Sequence, residues 1–158
     1  MPSIIRLPHH PQEHDFSCLA ACARMVLAFY RIETSETELR RLLKTRPGIG
    51  THPIHFRNLE SLCVIATWPY PGTRDAIKRL VEDSQPVIAF VWTGALRDVE
   101  ETNAIDYLHT VVVVGFSATS ILVHDPRLDV GPIEIPLLVF ENAWKFADHL
   151  IAVISPRA

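Results

Sequence analysis

The 158-residue sequence has no marked excess of either charge: 15 Lys and Arg residues stand against 18 Asp and Glu residues, a formal net charge of −3. Nucleic-acid-binding proteins usually carry clustered Lys and Arg, so this balance gives that class no support. No apolar run is long enough to span a bilayer, and the N-terminus lacks the pattern of a secretory signal. The sequence therefore predicts no nucleic-acid partner and no membrane segment.

Cysteine is also scarce. Three cysteines are an odd number and too few for a disulfide scaffold, which predicts free thiols and a reducing, cytoplasmic location. There is no internal repeat, low-complexity tract or linker. The length suits one unit that buries roughly 70% of its unfolded surface, so a single domain is predicted over residues 1–158.

The hydrophobic pattern changes along the chain from helical to β-type. Residues 17–30 are rich in Ala, Leu and Met and predict a helix buried nearly all round, and Ser35 with Glu38 fits a capping box for a second helix over 34–44. Further helices are predicted over 54–62 and 74–83, and strands over 63–68, 86–92, 108–116, 120–124 and 150–154. Helices followed by a mainly antiparallel sheet make an α+β fold.

Cys18 lies at the start of the first predicted helix. The partial positive charge of a helix N-terminus lowers a thiol pKa and raises the thiolate fraction. A buried core thiol is the alternative interpretation of the same residue. Position alone leaves the two interpretations about equal.

A histidine and an aspartate follow far downstream on two predicted strands. If these strands form a hairpin centred near Ser117, then His109 pairs with Asp125, 111 with 123 and 113 with 121, which brings imidazole and carboxylate to one face. A one-residue slip would present His124 instead, and Asp125 followed by proline also fits a strand-ending turn. A Cys–His–Asp order predicts nucleophilic catalysis by a thiol.

Gln12 precedes Cys18 by six residues. A thiol that attacks an acyl carbon needs hydrogen-bond donors aimed at the developing oxyanion, and a side-chain amide together with the Cys18 backbone N–H can supply them. Gln12 gains this meaning only from its spacing to Cys18.

The motifs Gln-x5-Cys-x3-Cys-Ala-Arg-Met-Val-Leu, His-Thr-Val-Val-Val-Val-Gly and Val-His-Asp-Pro, in this order, resemble the papain-like peptidases that process bacteriocins. The resemblance implies a papain-like fold with N-terminal helices packed on the sheet. It also implies cleavage of a peptide bond, such as that of a leader peptide after small residues. Its pattern makes Cys18 the nucleophile, His109 the base, Asp125 the orienting acid and Gln12 the oxyanion donor.

The chain departs from that family at two positions. An acidic residue usually precedes the cysteine and a glycine follows it, whereas this chain has Ser17 and Leu19. Leu19 is expected to narrow the region beside the nucleophile. No transporter segment is present, which implies a free-standing member, and association with a separate transporter is left open.

Other interpretations remain. Cys18-x3-Cys22, His52-x2-His55 and the pair His9-His10 could ligate a metal, but the matched Cys-x2-Cys pairs of zinc sites are absent, so neither a metal nor a cofactor is predicted. The same acyl-thioester chemistry would support acyl or amide transfer. An inert peptide-binding module is the non-enzymatic alternative.

The predicted partner is a peptide or protein substrate. The loop over residues 93–107 contains Asp98, Glu100, Glu101 and Asp106 and directly precedes the strand of His109. A solvated acidic loop is one interpretation. The other is a rim that attracts a basic peptide or amine.

Overall fold

The apolar stretch after Ser17 forms helix α1 (Cys18–Phe29), on which eight residues are buried. The computed structural model describes residues 4–96 and 107–157. Helix α1 lacks a clear amphipathic pattern because it is covered both by the sheet and by helix α2. Its burial nearly all round agrees with the sequence-based prediction.

Helix α2 (Glu36–Leu42) and a 3₁₀ helix (Pro53–Leu62) complete the N-terminal half. The Ser35 hydroxyl accepts a hydrogen bond from the Glu38 backbone N–H at 3.1 Å, which satisfies one of the free donors at the start of α2. This is the backbone half of the predicted capping box. Glu36, by contrast, is buried although it is a carboxylate in the first turn.

The second half is mainly sheet. Its strands are β1 (Val64–Ala66), β2 (Tyr70–Pro71), β3 (Val87–Trp92), β4 (Leu108–Phe116), β5 (Ser120–His124), β6 (Ile133–Pro136) and β7 (Leu150–Pro156). The order across the sheet is β1-β7-β3-β4-β5-β6, with β2 also paired to β7, and the described pairings are antiparallel. Helices α3 (Arg74–Glu82), α4 (Thr93–Leu96) and α5 (Leu137–Lys145) lie between strands. The α+β class and the helices-first order are therefore confirmed.

The β4–β5 hairpin differs from its predicted register. Val112 faces His124 and Val113 faces Val123, so the pairing is shifted by two residues from the predicted one. A bulge between Val113 and Gly115 changes the register again toward the turn. Because the shift near the site is even, His109 and Asp125 still share a face, as diagonal rather than direct neighbours.

Strand β6 and helix α5 were not predicted. Three prolines lie in the stretch 126–136 and obscure the alternation of β6, while Pro136 occupies the N-cap of α5. Among the described residues, none of the helices is long and apolar enough to cross a membrane.

Candidate active site

Cys18 is the first residue of α1, and its side chain is partly exposed. The chain enters the helix through a turn in which the Ser17 backbone N–H donates to the His14 carbonyl at 3.2 Å. Backbone N–H groups in the first turn of a helix have no partner within the helix. The thiol therefore lies where both the helix dipole and free backbone donors favour negative charge.

His109 contacts Asp125 behind this thiol. His109 Nε2 and Asp125 Oδ1 are 2.8 Å apart, and both side chains are buried. The other ring nitrogen, Nδ1, has no aligned hydrogen bond with the described residues. The Asp125 contact thus occupies one nitrogen and leaves Nδ1 as the atom available to the thiol.

The pKa values of the thiol and the imidazole are shifted in opposite directions. Burial raises the pKa of Cys18, but hydrogen bonding and Coulomb attraction to His109, with help from Thr110, bring it below that of an ordinary thiol. Burial lowers the pKa of His109, yet its contacts with Asp125 and Cys18 raise it overall. These shifts favour a thiolate beside an imidazolium.

Arg127 holds the other side of the Asp125 carboxylate. Its Nη2 lies 2.7 Å from Oδ2, its Nε lies within 3.2 Å of both oxygens, and its backbone N–H donates to Oδ1 at 2.9 Å. Although burial raises the pKa of Asp125, the bonds to His109 and Arg127 hold it well below its usual range. The carboxylate is therefore ionised over the whole neutral range.

Arg127 and Tyr107 also contact the pair of His109 and Asp125, although neither was predicted from the sequence. The Tyr107 ring packs edge-on against His109, with ring centroids 5.9 Å apart, and contact with Tyr107 raises the pKa of Arg127 further. Arg127 follows Asp125 by two residues, a spacing that lets a side chain return to its neighbour's carboxylate. This two-residue spacing is the feature of the sequence from which the contact of Arg127 with Asp125 could have been predicted.

Gln12 lies in the same groove as Cys18. Its Nε2 donates to the His14 carbonyl at 2.7 Å, and its backbone N–H donates to the Pro126 carbonyl at 2.8 Å. The first bond fixes the direction of the amide, because a carbonyl can only accept. The second N–H on Nε2 remains for another acceptor.

The groove encloses about 1120 Å³. Cys18, Gln12 and Leu19 contribute to its wall, whereas His109 and Asp125 lie behind it. Ser17, the other departure from the family pattern, is fully buried and is not among the lining residues. The lining residues are Gln12, Glu13, His14, Asp15, Phe16, Cys18, Leu19, Gly48, Ile49, Gly50, Thr51, Phe90, Tyr107, Leu108, Thr110 and Arg127.

The other candidate residues lie elsewhere. Cys22 is fully buried, donates to the Thr110 carbonyl at 3.4 Å, and has a pKa raised well above that of an ordinary thiol by burial. His124, the alternative base of a slipped register, instead contacts His9, with 2.9 Å between their Nδ1 atoms. It is not among the residues that line the groove.

No cluster of three or more metal-ligating side chains occurs in residues 4–96 and 107–157. His52 and His55 pack edge to face, with ring centroids 6.2 Å apart. The acidic residues Asp98, Glu100, Glu101 and Asp106 of the predicted substrate-selecting loop lie outside the described residues.

The chain is similar to one protein family in sequence and to several solved proteins in structure. Residues 4–150 match the model of the Peptidase_C39 like family. The chain is similar in structure to a protein described as a C39-like peptidase from Bacillus anthracis, with 18% identity and a TM-score of 0.77, covering 100% of this chain and 99% of that chain. A comparison with curated protein sequences finds no match.

Two further structures are similar. One is a double glycine motif protease from an AMS/PCAT transporter, in complex with the leader peptide, at 20% identity and a TM-score of 0.72, covering 98% of this chain and 95% of that chain. The other is the peptidase domain of Streptococcus ComA, a bi-functional ABC transporter involved in a quorum sensing pathway. It has 20% identity and a TM-score of 0.71, over 97% of this chain and 99% of that chain. At these identities the likeness shows a shared papain-like fold.

Proposed function

The chain belongs to the Peptidase_C39 like family, and on that premise we propose that it is a cysteine peptidase in which Cys18 attacks the carbonyl carbon of a peptide bond. The observation that carries the proposal is the buried contact of His109 with Asp125, at 2.8 Å, directly behind a thiol at a helix start. A nucleophile, a base and an orienting group in contact are the arrangement that covalent catalysis requires.

In the first half-reaction the Cys18 sulfur forms a bond to the carbonyl carbon. The carbonyl oxygen becomes negatively charged, and the free N–H of Gln12 and the Cys18 backbone N–H donate to it. The carbon–nitrogen bond then breaks as His109 gives its proton to the leaving amine. The product is a thioester on Cys18.

In the second half-reaction water attacks the thioester, and His109 accepts a proton from it. The carbon–sulfur bond breaks, the acid product leaves, and the thiol–imidazole pair is restored. Asp125, fixed by Arg127, keeps the imidazole in one orientation and stabilises its charged form. No metal or cofactor enters either step.

The proposed substrate is a peptide with small residues at the bond that is cut, such as a leader peptide. Leu19, whose side chain is almost fully buried, lines the groove immediately beside Cys18 and takes up space there. The similar AMS/PCAT protease was solved with a leader peptide bound. All three cysteines are free thiols, which agrees with the proposed cytoplasmic location.

Digestion of a peptide library tests the proposal. We expect the wild-type protein to produce new termini and the Cys18→Ala variant to lose at least about a thousandfold in rate, because the nucleophile is gone. Mass spectrometry of the products measures both outcomes and reads the residues on each side of the cut.

Cys63→Ser is the matched control, because Cys63 is an exposed thiol that is not among the residues lining the groove. It is expected to digest the library like the wild type. Equal digestion by the Cys18→Ala variant would exclude the proposed nucleophile.

A further inference from the structure

The segment from Gln12 to Ser17 is hydrogen-bonded to one buried carboxylate, that of Glu36 at the start of α2. Glu36 is only 1% exposed. Its Oε1 accepts hydrogen bonds from the Glu13 backbone N–H at 3.0 Å and from the Ser17 hydroxyl at 3.2 Å. A side chain distant in sequence thus fixes both ends of the turn that leads into Cys18.

The negative charge of Glu36 is compensated by arginine. Arg40 Nε lies 3.2 Å from Glu36 Oε2, and Arg40 Nη2 lies 3.4 Å from Glu13 Oε1. Burying a carboxylate is costly unless it is paired and hydrogen-bonded. The structure meets both conditions, because Oε1 is hydrogen-bonded to the turn and Oε2 faces Arg40.

A continuous set of hydrogen bonds connects Glu36 to Gln12. The Ser17 hydroxyl donates to Glu36 or to the His14 carbonyl, at 3.2 and 3.0 Å, and accepts from the His14 backbone N–H at 3.0 Å. The same His14 carbonyl accepts from Gln12 Nε2 at 2.7 Å. His14 is therefore held by Ser17 on one side and binds the Gln12 amide on the other.

We propose that Glu36 is a positioning residue for the oxyanion site: through Ser17 and His14 it holds the Gln12 amide in the direction needed to donate to the developing oxyanion. This inference rests on the proposed function. Glu36 does not touch the reacting atoms, and it is not among the residues that line the groove. Its effect is on geometry, because a donor displaced by a fraction of an ångström loses much of its value in the transition state.

Two small probes separate this effect from a general loss of structure. p-Nitrophenyl acetate acylates a thiolate: the sulfur bonds to the acetyl carbon, an oxyanion develops, and p-nitrophenolate leaves. Iodoacetamide alkylates the same sulfur by displacing iodide, and no oxyanion forms. The ratio of the acylation rate to the alkylation rate at Cys18, each corrected by the Cys18→Ala variant, therefore reports on the oxyanion site.

We expect Gln12→Ala to lower acylation by about a hundredfold and Glu36→Ala to lower it by about tenfold, with alkylation changed by less than about twofold. Glu36→Gln retains an oxygen acceptor and is expected to recover most of the loss. Glu38→Ala is the matched control, because Glu38 lies on the same helix but is paired with Arg41 on the surface. It should behave like the wild type.

The double variant Gln12→Ala/Glu36→Ala tests whether the two residues act through one interaction. If Glu36 acts by aiming Gln12, the double variant acylates no more slowly than Gln12→Ala alone. If Glu36→Ala does not fold, as shown by thermal unfolding, Ser17→Ala replaces it, since it removes the same connection and leaves the carboxylate in place.

Three results would overturn the inference alone: unchanged acylation in the Glu36 variant, an equal fall in acylation and alkylation, or additive losses in the double variant. Absence of Cys18-dependent acylation in the wild type would instead overturn the proposed function, and the inference with it.

Discussion

Cys18 and Cys22 lie one turn apart on α1, yet their thiols have opposite properties. Cys18 is partly exposed and its pKa is lowered by His109 in spite of burial. Cys22 is fully buried and its pKa is raised well above that of an ordinary thiol, because burial dominates. The difference arises from what each thiol faces, the imidazole in one case and the apolar core in the other.

The Asp125→Asn variant should weaken the pairing of Cys18 with His109. Asp125 raises the pKa of His109, so its neutral replacement lowers that pKa and leaves less positive charge beside the thiol. The pKa of Cys18 then rises, and the thiolate is lost at a higher pH as the solution is acidified. We expect the alkylation rate of Cys18 by iodoacetamide, measured from pH 5 to 9, to have its midpoint at higher pH in the variant.

Peptide hydrolysis by Asp125→Asn should fall by about 10² to 10⁴ in kcat, because the imidazole loses its orienting group. Asp129→Asn, an exposed carboxylate in the same loop, is the control for a change in net charge. Identical midpoints in Asp125→Asn and the wild type would show that Asp125 does not support the thiol–imidazole pair.

The hydrophobic pattern of the sequence correctly predicted those helices and strands whose residue types match their observed secondary structure and burial. The β-branched run over 108–116 became β4, and the Ala- and Leu-rich run after Ser17 became α1. The two-residue shift of the β4–β5 pairing was not predicted, because the hairpin turns at residues 117–120 rather than around Ser117, and a bulge between Val113 and Gly115 then changes the register by one residue. The prediction that His109 and Asp125 share a face of the sheet is correct, whereas the predicted direct pairing of these two residues is wrong.

For the candidate site, sequence order and residue type predicted which residues would come together. The residues that hold them in place could not be predicted, because their contacts arise only from the packing of the folded chain. Gln12, Cys18, His109 and Asp125 were named from the sequence, and whether they fill the assigned roles is still a prediction. Arg127 resembled an ordinary charged turn residue, and Glu36 an ordinary first-turn carboxylate on a surface helix. Only the packing of α2 under the turn at residues 13–17 gives Glu36 its contacts.

The segment between β5 and β6 packs closely against the N-terminal segment around His9, and Gly131 makes this close packing possible. A Cβ atom at Gly131 would lie 2.7 Å from Nδ1 of both His9 and His124. We expect Gly131→Ala to lower the free energy of unfolding by about 1–3 kcal/mol, because neither ring can move away without breaking their contact. Thermal or urea unfolding measures the change.

Gly115→Ala is the matched control, since a Cβ there meets its neighbours at 3.4 Å or more, an ordinary contact distance. Its stability is expected to change by less than about 1 kcal/mol. Equal losses of unfolding free energy in Gly131→Ala and Gly115→Ala would show that the close approach of the two histidine rings to Gly131 is not the cause of the loss.

At the scale of the whole molecule, the groove lies where the two halves of the fold meet. The N-terminal half contributes Gln12 and Cys18 to the wall of the groove, and the sheet places His109 on β4 and Asp125 directly after β5 behind that wall. The backbone N–H of Gln12 donates to the Pro126 carbonyl, so the two halves are also bonded directly beside the site. The lowered pKa of Cys18 is thus a property of the assembled fold rather than of α1 alone.

Competitive labelling of the three thiols measures whether the folded protein makes Cys18 more reactive than Cys22 and Cys63. The folded protein is treated at pH 7 with less than one equivalent of iodoacetamide, and the modified residue is identified by peptide mapping, with a guanidinium-unfolded sample in parallel. We expect Cys18 to be labelled first, exposed Cys63 more slowly and buried Cys22 only after unfolding, with similar rates for all three thiols in the unfolded chain. Labelling of Cys63 ahead of Cys18 in the folded protein would contradict this expectation.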